Sequence, residues 1–224
     1  MYYKKNLLLI FTLLATMLIV VGCSSSSTNT SSEAEESGQS TSKSELKIAL
    51  DAQPASLDLP IYTETATRDA AMLMYETLVT QDSEFKTVPM LAESIDMSED
   101  GITYTFHLRE GVTFHNGKEM TAEDVIASMV RWVEKSPLSG SIFDDATWTA
   151  EDEYTVVLEL AEPSSLTLDT IASAKAAPAI MPKEIIESAS GEGITEYIGT
   201  GPYKFVEWKQ DQYIHFTKFE EYKP

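Results

Sequence analysis

Between Ile102 and Val133 the hydrophobic pattern switches from the period of a strand to that of a helix, with turn residues at the points of change. Ser98-Glu99-Asp100-Gly101 forms a turn signal. The strand that follows sets Ile102, Tyr104, Phe106 and Leu108 on one face and Thr103, Thr105, His107 and Arg109 on the other. Asn116-Gly117 marks a tight turn, because both residues accept left-handed backbone conformations. Thr121-Ala122-Glu123-Asp124 then opens a helix, with Thr121 as N-cap and the acids in the positively polarised first turn. Val125, Met129 and Val133 supply its buried stripe, with Trp132 at the edge.

The flanking sequence continues the mixture. Leu46, Ile48 and Leu50 alternate with Lys47 and Ala49 as a half-buried strand that Pro54 ends. A hydroxyl-rich loop follows, then a helix capped by Thr65 or Thr67 and running to about Val79. Asp144, Asp145, Glu151, Asp152 and Glu153 read as a solvated loop. Tyr154, Val156, Leu158 and Leu160 alternate as another strand. Pro182 occupies a first-turn position of a short helix through about Ser188. After Gly199-Thr200-Gly201-Pro202, a hairpin pairs Tyr203–Trp208 with Tyr213–Lys218, so that Val206 and Trp208 face Ile214 and Phe216. Strands and helices interleave irregularly, and the expected class is mixed α/β (α+β) rather than a regular doubly wound sheet.

The N-terminus is a separate object. Lys4 and Lys5 precede an apolar run from Leu7 to Val21, the layout of an export signal and too short for a comfortable membrane span. Val20-Val21-Gly22-Cys23 matches the bacterial lipobox, which makes residues 1–22 a lipoprotein signal peptide and Cys23 the site of lipid attachment. Cys23 is the only cysteine, so no intramolecular disulfide is available. From Ser24 to Glu45, ten of 22 residues are serine and none is aromatic or large and aliphatic. Nothing there offsets chain entropy by burial, and 23–45 is expected to be a disordered lipid-anchored tether. Its Ser/Thr/Glu composition favours a Gram-positive surface.

Charge and motifs exclude more than they assign. A formal charge of −20 with no basic face argues against nucleic acid and against lying on anionic lipid. No G-x-S-x-G elbow, phosphate-binding loop or H-E-x-x-H pair occurs, so an enzyme is not expected, nor any cofactor. His107 and His215 fall in strands and His115 beside a turn, each read as solvent-facing, and no metal site is expected.

Four stretches carry a resemblance. LAESIDMSEDGITYTFHLREGVTFHNGKEMTAEDVIASMVR (Leu91–Arg131), PASLD (Pro54–Asp58), MYETLV (Met74–Val79) and GTGPYKFVEW (Gly199–Trp208) stand in the order and spacing of the bacterial extracellular solute-binding proteins of family 5. The chain from Leu46 to Pro224 resembles these peptide-, glutathione- and nickel-capturing receptors of ABC importers. Family members are longer, and this chain stops where their first half stops.

The resemblance implies a periplasmic-binding-protein-like fold of two lobes closing over a solute, with only the first lobe here and the second absent. Residues 46–60 and 198–224 would form a partial sheet domain, and 61–197 an inserted α/β subdomain. Function would be capture of a peptide-like solute for delivery to an ABC permease, by a protein exported and lipid-anchored to the outer face of the cell membrane. As a truncated half the chain would be a poor receptor. The alternative is a lipid-anchored surface interaction protein, or a fragment without transport. Ligand contacts are expected from Thr65 and Thr67 in the first loop, and from Ser141, Ile142 and Phe143 in a second. The second loop mixes small hydroxyls and backbone donors around one ring, although its composition equally suits a plain surface loop. Gly201 lines the hinge side or serves only as a turn.

Overall fold

The alternating strand and the capped helix form where the pattern places them. The computed structural model describes residues 45–189 and 193–224. The expected signal peptide (1–22), Cys23 and all but the last residue of the expected 23–45 tether lie outside the described residues. In chain order the elements are α1 (Thr65–Ala71), β1 (Val79–Gln81), β2 (Thr87–Pro89), β3 (Ala92–Met97), β4 (Thr103–Leu108), α2 (Ala122–Lys135), β5 (Thr147–Asp152), β6 (Thr155–Glu159), α3 (Thr167–Ala172), α4 (Lys183–Ser188), β7 (Tyr203–Lys209) and β8 (Tyr213–Lys218).

Strands β3-β4-β6-β5 make an antiparallel four-stranded sheet. β4 and β6 are central, with Tyr104 opposite Leu158 and Phe106 opposite Val156. These residues and Leu108 are buried on the face that α2 covers with Val125, Met129 and Trp132. Each fully buried apolar side chain of this size contributes roughly 1.5–3 kcal/mol, so this layer dominates the larger core. β1–β2 and β7–β8 are separate antiparallel pairs. The β7–β8 pair packs Phe205, Trp208, Ile214 and Phe216 onto a second core built from Leu57, Leu59, Ala70, Ala71, Met74 and Tyr75, among others.

Several expectations are corrected. Residues 45–50 are not a strand: Leu46 is 81% and Ile48 66% exposed, because alternation makes a strand only where a neighbouring backbone accepts it. α1 ends at Ala71 instead of near Val79, and its N-cap is Glu64, without a side-chain cap. The carbonyls that would continue the helix are taken elsewhere. Met74 O accepts Gly201 N–H at 2.8 Å, and Leu73 O accepts Tyr203 N–H at 3.1 Å. A tertiary partner has outcompeted helix propensity.

Trp132 is fully buried rather than at the helix edge; its Nε1 donates to Ala176 O at 2.8 Å. Glu151 and Asp152 belong to β5 rather than a loop, because buried Trp148 anchors that edge strand. Pro182 is the N-cap of α4, one position before its first turn. Val206 falls in a β-bulge and is 47% exposed, so Phe205 faces Phe216 in its place while Trp208 opposes Ile214 as expected. No described helix is long and apolar enough to cross a membrane.

Candidate ligand-binding face

A concavity of about 380 Å³ opens between the irregular segment 49–55 and the first turns of α1. Asp51, Gln53, Glu64, Thr65 and Asp69 give it polar groups, and Ala49, Leu50, Ala52, Ala55 and Ala66 give it apolar floor. Such a mix of small apolar surface and a few convergent polar groups suits a small polar ligand.

The first wall is held at two points. Gln53 is hydrogen-bonded to Gln210 and to Asp211 N–H in the β7–β8 turn. Beyond buried Pro54, the fully buried Asp58 receives the guanidinium of Arg131 as a two-bond fork, Nη1–Oδ1 2.8 Å and Nη2–Oδ2 2.6 Å. Ile194 N–H adds a third bond to Oδ2 at 3.0 Å. The Asp58 carbonyl also accepts Ile61 and Tyr62 N–H, closing the turn that leads to α1.

Of the anticipated site residues, Thr65 alone lines the concavity, where it is exposed. Thr67 is fully buried in α1, and its Oγ1 has no hydrogen-bond partner among the described residues. Ser141, Ile142 and Phe143 form a 3-10 turn away from this concavity. Ser141 is exposed and Ile142 half-buried, but the Phe143 ring is 1% exposed and lies edge-on to Trp132 at 5.3 Å. Gly201 is buried against Met74, whose backbone carbon would stand 2.7 Å from any added Cβ.

His115 is also buried, not solvent-facing. Its Nδ1 accepts Gly199 N–H at 3.3 Å and its Nε2 lies 2.9 Å from Gly201 O, which assigns the neutral Nε2–H tautomer. Burial pushes its pKa down, the Gly201 carbonyl opposes this, and Lys204 adds to the lowering. Nearby, burial pushes the Glu76 carboxyl up, against the Thr200 and Tyr222 hydroxyls and Arg109. Thr200 Oγ1 has no partner of standard geometry among the described residues, although it lies near enough to favour the charged Glu76. Tyr222 donates to Glu76 Oε1 at 3.0 Å, and its phenol is pushed up to about 12 by burial and the Glu76 charge.

Sequence reasoning missed Arg131, Asp58 and the role of Asp124. The buried Asp124 carboxylate accepts Thr121 N–H and hydroxyl at 3.0 Å each, Lys118 Nζ at 2.6 Å and Lys183 N–H at 2.8 Å. Burial disfavours charge on Lys118, but Asp124 and Glu184 more than offset it and its pKa is raised. The missed signal is periodic. Asp124, Ser128 and Arg131 recur at helical spacing beside the apolar stripe, and all three are buried. Among the described residues no group of His, Cys, Asp and Glu side chains is placed to hold a metal.

Residues 86–224 match the family model of the bacterial extracellular solute-binding proteins, family 5 Middle. The chain is 32% identical to the glutathione-binding protein GsiB of Pectobacterium atrosepticum, over 78% of this chain and 34% of that protein. It is 28% identical to the oligopeptide-binding protein AppA of Bacillus subtilis, over 83% and 36%. Its fold superposes on the solved periplasmic binding protein DppA of Helicobacter pylori, in complex with the peptide STSA, with TM-score 0.64 and 29% identity over 76% of this chain and 38% of that one. The matched part of the chain thus spans about a third of the length of these relatives.

Proposed function

Since the chain belongs to the bacterial extracellular solute-binding proteins of family 5, we propose that it contributes to capture of a peptide-like solute outside the cell for an ABC importer and its permease. The role is binding rather than catalysis. The observation that carries this reading to the chain's own residues is the polar-rimmed concavity between 49–55 and α1, with Thr65 on its wall.

Thr65 contacts the solute directly in this reading, and Ser141 and Ile142 offer a second surface. Phe143 and Gly201 act from within, Phe143 by packing on Trp132 and Gly201 by its close approach to Met74, and Thr67 contributes through the buried side of α1. The division into a sheet-domain part (46–60 and 198–224) and an inserted subdomain (61–197) is kept as a proposal: the larger core, drawn from residues 78–180, lies inside the second part, while the smaller core joins residues of both. Diacylglycerol on Cys23 would hold the protein at the outer face of the cell membrane, a Gram-positive one on the composition of the 23–45 tether.

Calorimetric titration of the complete gene product with Ser-Thr-Ser-Ala and with glutathione tests the binding reading. Saturable binding is expected for at least one, weakened about fivefold by Thr65→Ala, the effect of one lost hydrogen bond. A cooperatively folded protein that binds neither would end this reading. Intact mass tests the anchor: a lipid adduct lost in Cys23→Ser is expected, and an unmodified Cys23 on the mature protein would remove it.

A further inference from the structure

Asp58 lies in the chain between the two walls of the concavity. Its carboxylate is bound by the Arg131 fork and Ile194 N–H, and its carbonyl closes the turn that starts the second wall. α1 has its own attachment, burying Thr67, Ala70 and Ala71. The 49–55 wall has much less: Asp51, Ala52, Gln53 and Ala55 are exposed, and only Pro54 is buried. Beyond that it is held by Gln53 on the β7–β8 turn, and past residue 55 by Leu57, which is buried in the second core, and by Asp58.

A buried ion pair is a poor source of stability, because desolvating both charges offsets most of their attraction and apolar replacements are often as stable. What a guanidinium–carboxylate fork supplies is direction: two parallel bonds fix orientation as well as distance. We propose that Asp58, clamped by Arg131, is a positioning residue that holds the 49–55 wall against α1 and sets the width of the ligand-binding concavity. This rests on the reading of that concavity as the solute site.

The test compares the complete gene product with Asp58→Leu/Arg131→Met, which removes both charges, and with Arg131→Lys, which keeps the charge and loses the fork. The width of the concavity is read as the distance between spin labels at Asp51→Cys and Asp69→Cys, one on each wall, in a Cys23→Ser background. Amide exchange of the four-stranded sheet is the control for folding, and unlabelled proteins are titrated with Ser-Thr-Ser-Ala and glutathione in parallel. In both variants the distance distribution is expected to broaden while the sheet keeps its protection, with affinity for the bound probe falling about tenfold. An unchanged distribution, or protection lost evenly across the sheet, would overturn the proposal and leave the pair an ordinary structural contact. Should the double variant fail to fold, Arg131→Lys decides by the same readouts. If the wild type binds neither probe, the solute reading fails, and the distance distribution still decides whether the pair positions the wall.

Discussion

His115 grips Gly201 across the seam between the Phe114–Lys118 turn and the strand β7 entry. Nε2–H donates to the Gly201 carbonyl at 2.9 Å, and the other ring nitrogen takes Gly199 N–H at 3.3 Å. The Phe219 ring stands edge-on at 5.0 Å. Only the neutral ring satisfies both backbone partners, because an imidazolium would point N–H at N–H.

Stability should therefore carry a histidine-dependent pH slope. Unfolded histidine titrates near about 6.5, and the folded value of His115 is lowered, first by burial. Between the two the unfolded state binds more protons, so this contribution is complete above about pH 6.5 and is lost as pH falls towards the folded value. Glu76 works oppositely: its folded pKa is raised, and its contribution is lost as pH rises through that value. The difference in urea midpoint between wild type and His115→Gln isolates the histidine. It should shrink from pH 7.5 to 5, and a constant difference would refute the assignment.

Gly199 and Gly201 should resist alanine. An added Cβ would stand 2.2 Å from Met74 O at Gly199 and 2.7 Å from Met74 C at Gly201, both backbone atoms that cannot swing aside. Each substitution is expected to cost about 1–3 kcal/mol in urea unfolding, the range of overpacked sites. Gly117→Ala offers a contrast, with open space but φ +85°. It should lose about 1 kcal/mol through backbone strain alone.

Asp124→Ala removes a cap and strands several donors at once. It should destabilise by about 3–5 kcal/mol, the scale of breaking a buried pair. Glu123→Ala breaks only the exposed Lys183 contact at 3.0 Å and should lose less than about 1 kcal/mol. Chemical denaturation of both variants checks the contrast.

Within the Ser141–Phe143 turn the two ends should behave oppositely. Phe143→Ala empties a core position and should cost about 3–5 kcal/mol. Ser141→Ala, at an exposed hydroxyl, should stay within about 0.5 kcal/mol in stability. Thermal melts separate them.

What was legible in the sequence was local. β4 alternates as written, and α2 begins at Ala122 behind the Thr121 N-cap with Asp124 reaching back, since a capping box needs residues only three apart. What was hidden was long-range. Nothing near Asp58 announces Arg131, and nothing near Leu73 announces that Tyr203 will take its carbonyl and end α1 early. His115 looked exposed because it stands beside the Asn116-Gly117 turn, whereas loop 199–201 covers it. For the candidate site, Thr65 was readable as a hydroxyl in a loop, but the wall opposite depends on Arg131 and Gln210, both far along the chain. Phe143 was readable as an aromatic in a small-residue loop, and only packing shows its ring turned into Trp132.

The capture of the Leu73 and Met74 carbonyls by residues 201–203 also imposes an order on biosynthesis. The seam next to α1 cannot close until Tyr203 has left the ribosome, long after Leu73, and contacts so distant along the chain form slowly. Until then the first-made segments lack the partners that end α1 and cover Tyr75 and Met74. A segment whose partners are made this much later stays unlocked during synthesis, and its boundary is set only when the other side of the seam arrives.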